Sequence, residues 1–378
     1  MGLGFRHYSW GVAVTGFPRT VEAITPQWLT EVLRADGVLT GGRVRQVTAA
    51  PLGVGVGFMS AMCRLTLTYD GPAPGAPGVL IAKLAPAYDG ARAADGAFQF
   101  YERETGFYRA LAAGCGLRTA RAFHVSYDAG SHDFILLLED LSAARVADQV
   151  AGLSLQDAAD ALAAVAGLHG RWWNDPTLAD HDWLPAVNAP TMRVLEPVYQ
   201  QCWPAVVDFL GDRLSPQMKA LGERMATRVG SLLDVVASRP RTVVHGDFRA
   251  DNMFFRDTQP EDRFAVIDWQ VMMQGSGAFD VAYMLSGSFG VSDRRQHERD
   301  LLAIHHAGLL AAGVQGYSPA EAADDYRLCT LLGWGWPVVA IGSLDMANDR
   351  GVAMFNAWTE RAMTAVMDLD AGALLPDT

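Results

Sequence analysis

Cysteine is scarce in this chain, and its few cysteines stand far apart. The 378 residues include Cys63, Cys115, Cys202 and Cys329, and no two of them form a C-x-x-C pair. Zinc sites and disulfide frameworks are recognised by closely or regularly spaced cysteines, so neither is indicated. The spacing predicts four separate thiols in a reducing compartment.

Basic residues are also in the minority. Lys and Arg number 30 against 42 Asp and Glu, which gives a formal net charge of −12, and the basic residues form no long run. A nucleic-acid-binding chain would carry a basic patch or stripe, so we expect no nucleic-acid partner. The acidic balance does not by itself identify a cationic substrate.

Long unbroken apolar stretches are missing as well. The segment 328–344 is uncharged but short for a bilayer, and it contains Gly333, Gly335 and Pro337. This composition predicts a buried helix and no membrane span. The opening residues lack the long apolar core of a secretory signal peptide. We therefore expect a cytoplasmic protein.

The predicted secondary structure changes from mainly β to mainly helical near residue 140. One helix is predicted before residue 41. Thr25 would be its N-cap, Pro26 its first residue and Gly37 the residue that ends it. Several short alternating strands and a helix near 97–113 follow. The rest is mainly helical, with a small β insertion at 241–268 and helices predicted from 155 and at 191–209, 214–237, 294–313, 319–342 and 347–369. The sequence predicts an α+β fold with an N-terminal helical extension (1–40), a β-rich domain (41–140) and a helical domain (141–378).

A glycine-rich segment lies between the first two predicted strands. Gly53, Gly55 and Gly57 would let a hairpin backbone come close to a ligand and present N–H groups to phosphate oxygens. The same glycines also fit a flexible turn without a ligand. No Gly-Lys-Ser/Thr follows, which excludes the Walker-A pattern, and no helix follows, which disfavours a dinucleotide fingerprint.

Lys83 and Glu104 are charged residues on otherwise apolar faces. Lys83 lies in the strand "VLIAKLA", where it either snorkels from a sheet edge or has a buried anionic partner. Glu104 falls on the apolar stripe of the following helix, whereas Glu102 and Arg103 fall off it. Because an unpaired buried carboxylate is costly, we expect Glu104 to pair with Lys83.

The segment "HGDFRADN", residues 245–252, is a polar loop between two short apolar ends. Asp247 precedes Asn252 by five residues, as in the protein-kinase catalytic loop H-R-D-x-x-x-x-N. Phosphoryl transfer needs a carboxylate to orient and deprotonate the acceptor hydroxyl, and oxygen ligands for Mg²⁺. Asp247 fits the first role and Asn252 the second. Asp268 ends an apolar strand and is placed like the metal-binding Asp of the kinase D-F-G motif.

These segments together resemble the aminoglycoside phosphotransferase and choline kinase superfamily. "HGDFRADN" and "VIDWQ" are the most specific marks, and "GSGAFDVAYML", "FYERETGFYRAL" and "LLLEDL" look most like the ecdysteroid-kinase-like branch. The resemblance implies a bilobal protein-kinase-like fold. Its N-terminal lobe would carry an antiparallel sheet plus a helix, and its C-terminal lobe would be larger and mainly helical.

The resemblance also implies nucleotide-binding residues. Lys83, oriented by Glu104, would hold the α- and β-phosphates of ATP or GTP. The remaining nucleotide-binding residues would be Gly53, Gly55, Gly57 and Ser60 at the phosphates, and the backbone from Glu139 to Leu141 at adenine.

The same resemblance implies the catalytic roles. Asp247 would be the catalytic base, and Asn252 and Asp268 would bind Mg²⁺. Asp280 would steady the catalytic loop, and we expect His245 to be structural too.

The function implied is an ATP-dependent transfer of the γ-phosphoryl group to a hydroxyl of a small molecule. We favour a lipophilic or mixed alcohol, such as a steroid-like, polyketide, macrolide or hydroxyacyl compound, and an antibiotic stays among the candidates. The alternative is a catalytically silent pseudokinase that binds nucleotide or a partner. Trp334 and Trp336 fit either an acceptor pocket or core packing, with packing favoured, and His169 fits a satisfied core histidine. The oligomeric state is left open.

Overall fold

The computed structural model describes residues 16–52, 60–86, 92, 95, 96, 98–256, 263–343 and 349–377. These residues belong to two compact units. The first runs to Arg109 and also includes Ala120–Leu141, and the second consists of Ala110–Thr119 and the residues from Ser142 onward. The glycine segment with Gly53, Gly55 and Gly57 lies outside the described residues.

The first unit is built on a five-stranded antiparallel sheet. Its strands are β1 (Arg43–Leu52), β2 (Ala61–Asp70), β3 (Val79–Leu84), β4 (Ala122–Asp128) and β5 (Asp133–Glu139), in the order β1-β2-β3-β5-β4. Strand β3 is therefore central, and Lys83 lies opposite Met62 on one side and Leu136 on the other. This register excludes the edge-strand explanation for Lys83.

Helix α1 (Pro26–Ala35) packs against one face of this sheet. Its predicted start is confirmed, because Thr25 Oγ1 accepts a hydrogen bond of 3.2 Å from the Trp28 N–H and Pro26 is the first helical residue. Trp28 and its apolar neighbours on α1 share a buried core with Leu80 and other sheet residues. Burial of this apolar face holds the helix in place.

Helix α2 (Phe100–Ala110) contributes Tyr101, whose ring stacks on Phe134 of β5 with centroids 4.3 Å apart. Glu104 is buried, as its place on the apolar stripe predicts. The expectation that Arg103 lies off the buried stripe is wrong, since Arg103 is buried as well. The physical reason is that α2 is covered on nearly every side and not along a single stripe. Burial lowers the pKa of the Arg103 guanidinium to about 10, against the opposing charge of Asp95.

The second unit is mainly helical. Among the residues that the structure describes, its α-helices are α3 (Leu155–Arg171), α4 (Pro190–Arg193), α5 (Leu195–Leu210), α6 (Pro216–Met225), α7 (Val229–Ala237), α8 (Ala278–Gly287), α9 (Val291–Ala311), α10 (Pro319–Gly333), α11 (Gly335–Ser343) and α12 (Asp349–Asp368). Within the described ranges, no helix has the length and apolarity that a membrane crossing requires.

Three helices predicted from the sequence are each divided in the structure. The predicted helix 191–209 becomes α4 and α5, which are separated at Val194. The predicted helix 319–342 ends at Gly333, and α11 begins at Gly335. Pro337 explains this break, because it cannot donate to the carbonyl of Gly333 and its ring favours the first turn of a new helix. The predicted helix 214–237 is divided into α6 and α7 at residues 226–228.

Short strands frame the polar loop of residues 245–252. Strand β7 (Thr242–Val244) ends just before His245 and pairs with β10 (Met273–Gly275). Strand β8 (Met253–Phe255) begins just after Asn252 and pairs with β6 (Arg145–Val146) and β9 (Phe264–Val266). The loop is therefore fixed at both ends by strand pairing, as its apolar flanks predict.

Candidate active site

The first unit contains a buried ion pair between its central strand and α2. Lys83 Nζ lies 2.9 Å from Oε1 and 2.7 Å from Oε2 of Glu104. Lys83 is 4% exposed and Glu104 is 1% exposed. The structure thus contains the pair that the burial argument predicts, and each charge compensates the other in a place with little water.

Three further residues proposed for nucleotide binding, Ser60, Glu139 and Leu141, lie at or beside strand ends of the first unit. Ser60 is half-buried and directly precedes β2, and Leu141 is buried just after β5. Glu139 is the last residue of β5, and its backbone N–H donates to the Arg121 carbonyl at 2.8 Å. Asp140, between them, forms an ion pair of 3.3 Å with Arg64.

Asp280 of α8 holds the backbone at the start of the polar loop in the second unit. Its Oδ2 accepts a hydrogen bond of 2.7 Å from the His245 N–H, and its Oδ1 accepts one of 2.9 Å from the Gly246 N–H. His169 Nε2 lies 3.1 Å from the same Oδ2, and His169 Nδ1 lies 2.9 Å from His305 Nε2. The prediction that His169 is a satisfied core histidine is confirmed.

Gly246 is required by the geometry of this loop. Its φ of +84° lies in the left-handed region, and a Cβ at this position would collide with the carbonyl oxygen of Val271. Only glycine avoids both problems. Gly246 stands where the protein-kinase H-R-D motif has Arg, and the backbone geometry gives the physical reason for glycine here.

His245 connects the loop to the strand that leads to Asp268. Its Nδ1 accepts a hydrogen bond of 3.2 Å from the Asp247 N–H, and its Nε2 donates one of 3.0 Å to the Ile267 carbonyl. His245 is fully buried and its ring packs on Trp269, with centroids 4.6 Å apart. These contacts give His245 the structural place expected for it.

Both carboxylate oxygens of Asp247 accept hydrogen bonds. Oδ2 accepts from Asn252 Nδ2 at 2.8 Å and from Arg249 Nε at 3.1 Å, and Oδ1 accepts from the Tyr283 hydroxyl at 3.0 Å. Burial by itself would raise the pKa of Asp247, but the charge of Arg249 and the hydrogen bond from Asn252 outweigh it, and the pKa lies below its ordinary value. Asp247 is therefore ionised at neutral pH.

Arg249 and Tyr283 are two residues at this site that the sequence reasoning missed. Arg249 also pairs with Asp251 at 3.0 Å. Tyr283 lies three residues after Asp280 on α8, so both side chains lie on one face of that helix. Burial and the neighbouring charge of Asp247 raise the pKa of the Tyr283 phenol well above its ordinary value, so the phenol stays protonated and donates.

A second set of hydrogen bonds holds the middle of the loop. Gln149 Oε1 accepts from the Ala250 N–H at 3.0 Å and from the Ser288 hydroxyl at 2.8 Å. Asp251 Oδ1 accepts from the Gln149 N–H at 2.9 Å. Asp251 therefore stabilises the loop, and the part played by Gln149 carries no local sequence signal.

Asn252 and Asp268 lie at the same end of the β8–β9 hairpin. The Ile267 N–H donates to the Asn252 carbonyl at 3.1 Å, and Asp268 follows with a φ of +72°. The Asn252 side chain donates two hydrogen bonds through Nδ2, to the carbonyl oxygen and to Oδ2 of Asp247. Amide and carboxylate oxygens are the donors that Mg²⁺ prefers, so this donor set fits. Within the described ranges there is no cluster of three or more His, Cys, Asp or Glu suited to a metal.

Aromatic side chains from several helices of the second unit pack on one another around Tyr283. Tyr283 packs on Phe279, with centroids 5.7 Å apart, and edge-on against Trp358, at 5.6 Å. Trp336 is half-buried and packs on Phe279 at 5.1 Å. Trp334 is fully buried, so its core-packing interpretation is confirmed.

The chain belongs to the ecdysteroid kinase-like family, whose family model matches residues 54–313. No curated protein matches the sequence.

Solved structures with the same fold include small-molecule kinases. Choline kinase from Cryptosporidium parvum Iowa II is 9% identical with a TM-score of 0.56, covering 91% of this chain and 97% of that one. A candidate aminoglycoside phosphotransferase from Ralstonia eutropha JMP134 is 16% identical with a TM-score of 0.54, covering 92% and 99%. Ethanolamine kinase from Plasmodium vivax is 10% identical with a TM-score of 0.50, covering 86% and 81%. At these identities the likeness shows the fold, and the predicted protein-kinase-like α+β class is confirmed.

Proposed function

We propose that this protein is a phosphotransferase that moves the γ-phosphoryl group of ATP or GTP to a hydroxyl of a small molecule. The observation that carries the proposal is the ionised carboxylate of Asp247, held by Arg249, Asn252 and Tyr283 on a loop whose backbone is fixed by Asp280. A carboxylate held in this way can orient a hydroxyl and accept its proton.

Asp247 performs the proton transfer in this proposal. The acceptor hydroxyl donates a hydrogen bond to Asp247, its oxygen forms a bond to the γ-phosphorus, and the bond from that phosphorus to the bridging β–γ oxygen breaks. The proton passes from the acceptor oxygen to Asp247. A carboxylate with a lowered pKa is a weak base, which suits a loose transition state in which positioning contributes more than proton abstraction.

Lys83 binds the nucleotide phosphates. Its ammonium group is fixed by Glu104 and offers hydrogen bonds to phosphate oxygens. The backbone from Glu139 to Leu141, at the end of β5, is proposed for adenine. A mutant of aminoglycoside 2′-phosphotransferase-IIIa, 12% identical with a TM-score of 0.50, is known in complex with GDP, which supports a nucleotide ligand for this fold.

Asn252 and Asp268 are proposed to hold Mg²⁺. When bound, the ion would neutralise charge on the phosphates. Asn252 has a double function in this proposal, since its Nδ2 holds Asp247 and its Oδ1 would be the atom that binds the cation.

The acceptor is proposed to be a lipophilic or mixed alcohol. The support comes from a group of packed aromatic side chains that includes Tyr283, which is bonded to Asp247, together with Phe279, Trp336 and Trp358. Aromatic walls favour apolar ring systems and long acyl chains over highly charged polyols.

A transfer screen tests the proposal. Purified protein with Mg²⁺ and either ATP or GTP is incubated with steroids, macrolides, polyketides, hydroxyacyl compounds and aminoglycosides, and mass spectrometry detects phosphorylated products. We expect phosphorylation of at least one lipophilic alcohol and a raised melting temperature with nucleotide. A protein that binds nucleotide but transfers no phosphate to any acceptor or to water would support the pseudokinase alternative.

A further inference from the structure

The hydrogen bonds already made by the Asp247 carboxylate restrict where the hydroxyl of a substrate can donate to it. Oδ2 already accepts two hydrogen bonds, from Arg249 at 3.1 Å and Asn252 at 2.8 Å. Oδ1 accepts one, from Tyr283 at 3.0 Å. A carboxylate oxygen has about two lone-pair sites, so an incoming hydroxyl meets a site on Oδ1, beside the phenol oxygen of Tyr283.

Tyr283 is held rigidly enough to define that direction. It is buried on α8, and its ring stacks on Phe279 and packs edge-on against Trp358. Asp280, one turn earlier, accepts a hydrogen bond of 2.7 Å from the loop backbone. A buried phenol requires a hydrogen-bond partner, and Asp247 is that partner. One helix therefore fixes both the loop backbone, through Asp280, and the orientation of the carboxylate, through Tyr283.

We propose that Tyr283 is a positioning residue that holds Oδ1 of Asp247 so that its remaining lone pair faces the acceptor hydroxyl. The proposal rests on the proposed function. Without the Tyr283 hydroxyl, the Asp247 carboxylate would keep its two hydrogen bonds at Oδ2 and lose the one hydrogen bond that fixes Oδ1. The effect falls on the rate of transfer and not on nucleotide binding.

Tyr283→Phe tests this role, because it removes one oxygen and keeps the ring. Tyr326→Phe is a matched control, since Tyr326 is also buried and its hydroxyl donates to a carboxylate, Glu298 Oε2, at 2.9 Å. Initial rates are measured with Mg²⁺ and ATP, with alcohols from ethanol to a sterol as acceptors and with water as acceptor in ATP hydrolysis. Melting curves calibrate the folded fraction of each variant.

We expect Tyr283→Phe to lower kcat about ten- to a hundredfold, as for loss of a hydrogen bond to a charged group, with the KM for ATP within about twofold of wild type. Tyr326→Phe should keep kcat within about twofold. A crystal structure of Tyr283→Phe should show the Asp247 carboxylate in a changed orientation. An unchanged kcat in Tyr283→Phe, or an equal loss in both variants, would overturn the positioning role alone. A wild-type protein that transfers phosphate to neither alcohol nor water would overturn the proposed function and this proposal with it.

Discussion

Asp280 and His245 are joined by a hydrogen bond of 2.7 Å from the His245 backbone N–H to Asp280 Oδ2. The other oxygen of Asp280 accepts from Gly246. The buried carboxylate of Asp280 thus fixes the backbone of the two residues that precede Asp247. Each oxygen of the Asp280 side chain accepts one of these hydrogen bonds, whereas the side chain of Asn would have one acceptor oxygen and one N–H₂ donor.

Asp280→Asn should therefore loosen the loop. One backbone N–H would face an amide N–H₂ group, and we expect a loss of about 2–3 kcal/mol in the free energy of unfolding. The rate of phosphate transfer should fall more than tenfold, or about 1.4 kcal/mol in activation free energy. Urea unfolding and initial rates measure both, with the exposed Asp300→Asn as the control. Equal behaviour of the two variants would contradict the role given to Asp280.

Lys83→Met should remove the cation that faces the buried carboxylate of Glu104. Removing one partner of a buried pair costs about 3–5 kcal/mol, whereas replacing both by apolar residues is often close to neutral. We expect the double variant Lys83→Met with Glu104→Leu to recover most of the stability lost in the single variant. Both variants should bind ATP more weakly than wild type, because both lack the Lys83 ammonium group. Urea unfolding and calorimetric titration with ATP check these outcomes, and a double variant no more stable than Lys83→Met would argue against the buried pair.

Gly246→Ala should be more damaging than Gly313→Ala. Both glycines have positive φ, +84° and +98°, but a Cβ at Gly313 meets nothing within 4 Å, while one at Gly246 meets the Val271 carbonyl oxygen. The shared backbone strain costs about 1–2 kcal/mol. The collision should add about 1 kcal/mol or more at Gly246 and displace Asp247. Unfolding and transfer rates of the two variants measure the difference, and equal losses would show that the collision is relieved without cost.

His305 should make stability depend on pH. Burial first, and then the proximity of His169, lowers the pKa of His305 well below its ordinary value of 6.5. The unfolded chain therefore takes up a proton at about pH 6.5 that the folded chain refuses, and stability is lost as the pH falls through that value. Below it the contribution should decline by about 1.4 kcal/mol per pH unit.

His305→Gln should remove this component of the pH dependence. Urea unfolding at pH 7.5 and 5.5 is compared for wild type, His305→Gln and His297→Gln, the last being a partly exposed histidine on the same helix. We expect the free energy of unfolding to fall less between pH 7.5 and 5.5 in His305→Gln than in the other two proteins. The same loss in all three proteins would assign the pH dependence to other groups.

Local sequence rules predicted the features that depend on neighbouring residues. Thr25 and Pro26 marked the start of α1 correctly. The apolar strand around Lys83 and the apolar helix stripe around Glu104 placed both residues in the interior. The break before α11 was missed because the apolar run around Trp334 outweighed Pro337 in the interpretation of that segment.

Contacts between distant parts of the chain could not be predicted in the same way. Gln149 reaches the loop from 101 residues away, and no motif marks it. Tyr283 had a signal that was overlooked, since a helix that delivers Asp280 to the loop also delivers the residue three positions later. Arg249 lay within the quoted loop, but its pairing with Asp247 depends on the fold of the turn.

The measurement that tests the central claim most directly is phosphate transfer by Asp247→Ala beside wild type, with the best acceptor found in the screen. Loss of a general base should lower the rate by about 10² to 10⁴, while titration shows that nucleotide binding is retained. Asp247→Ala that transfers phosphate as fast as wild type would contradict the assignment of Asp247 and the account built on it.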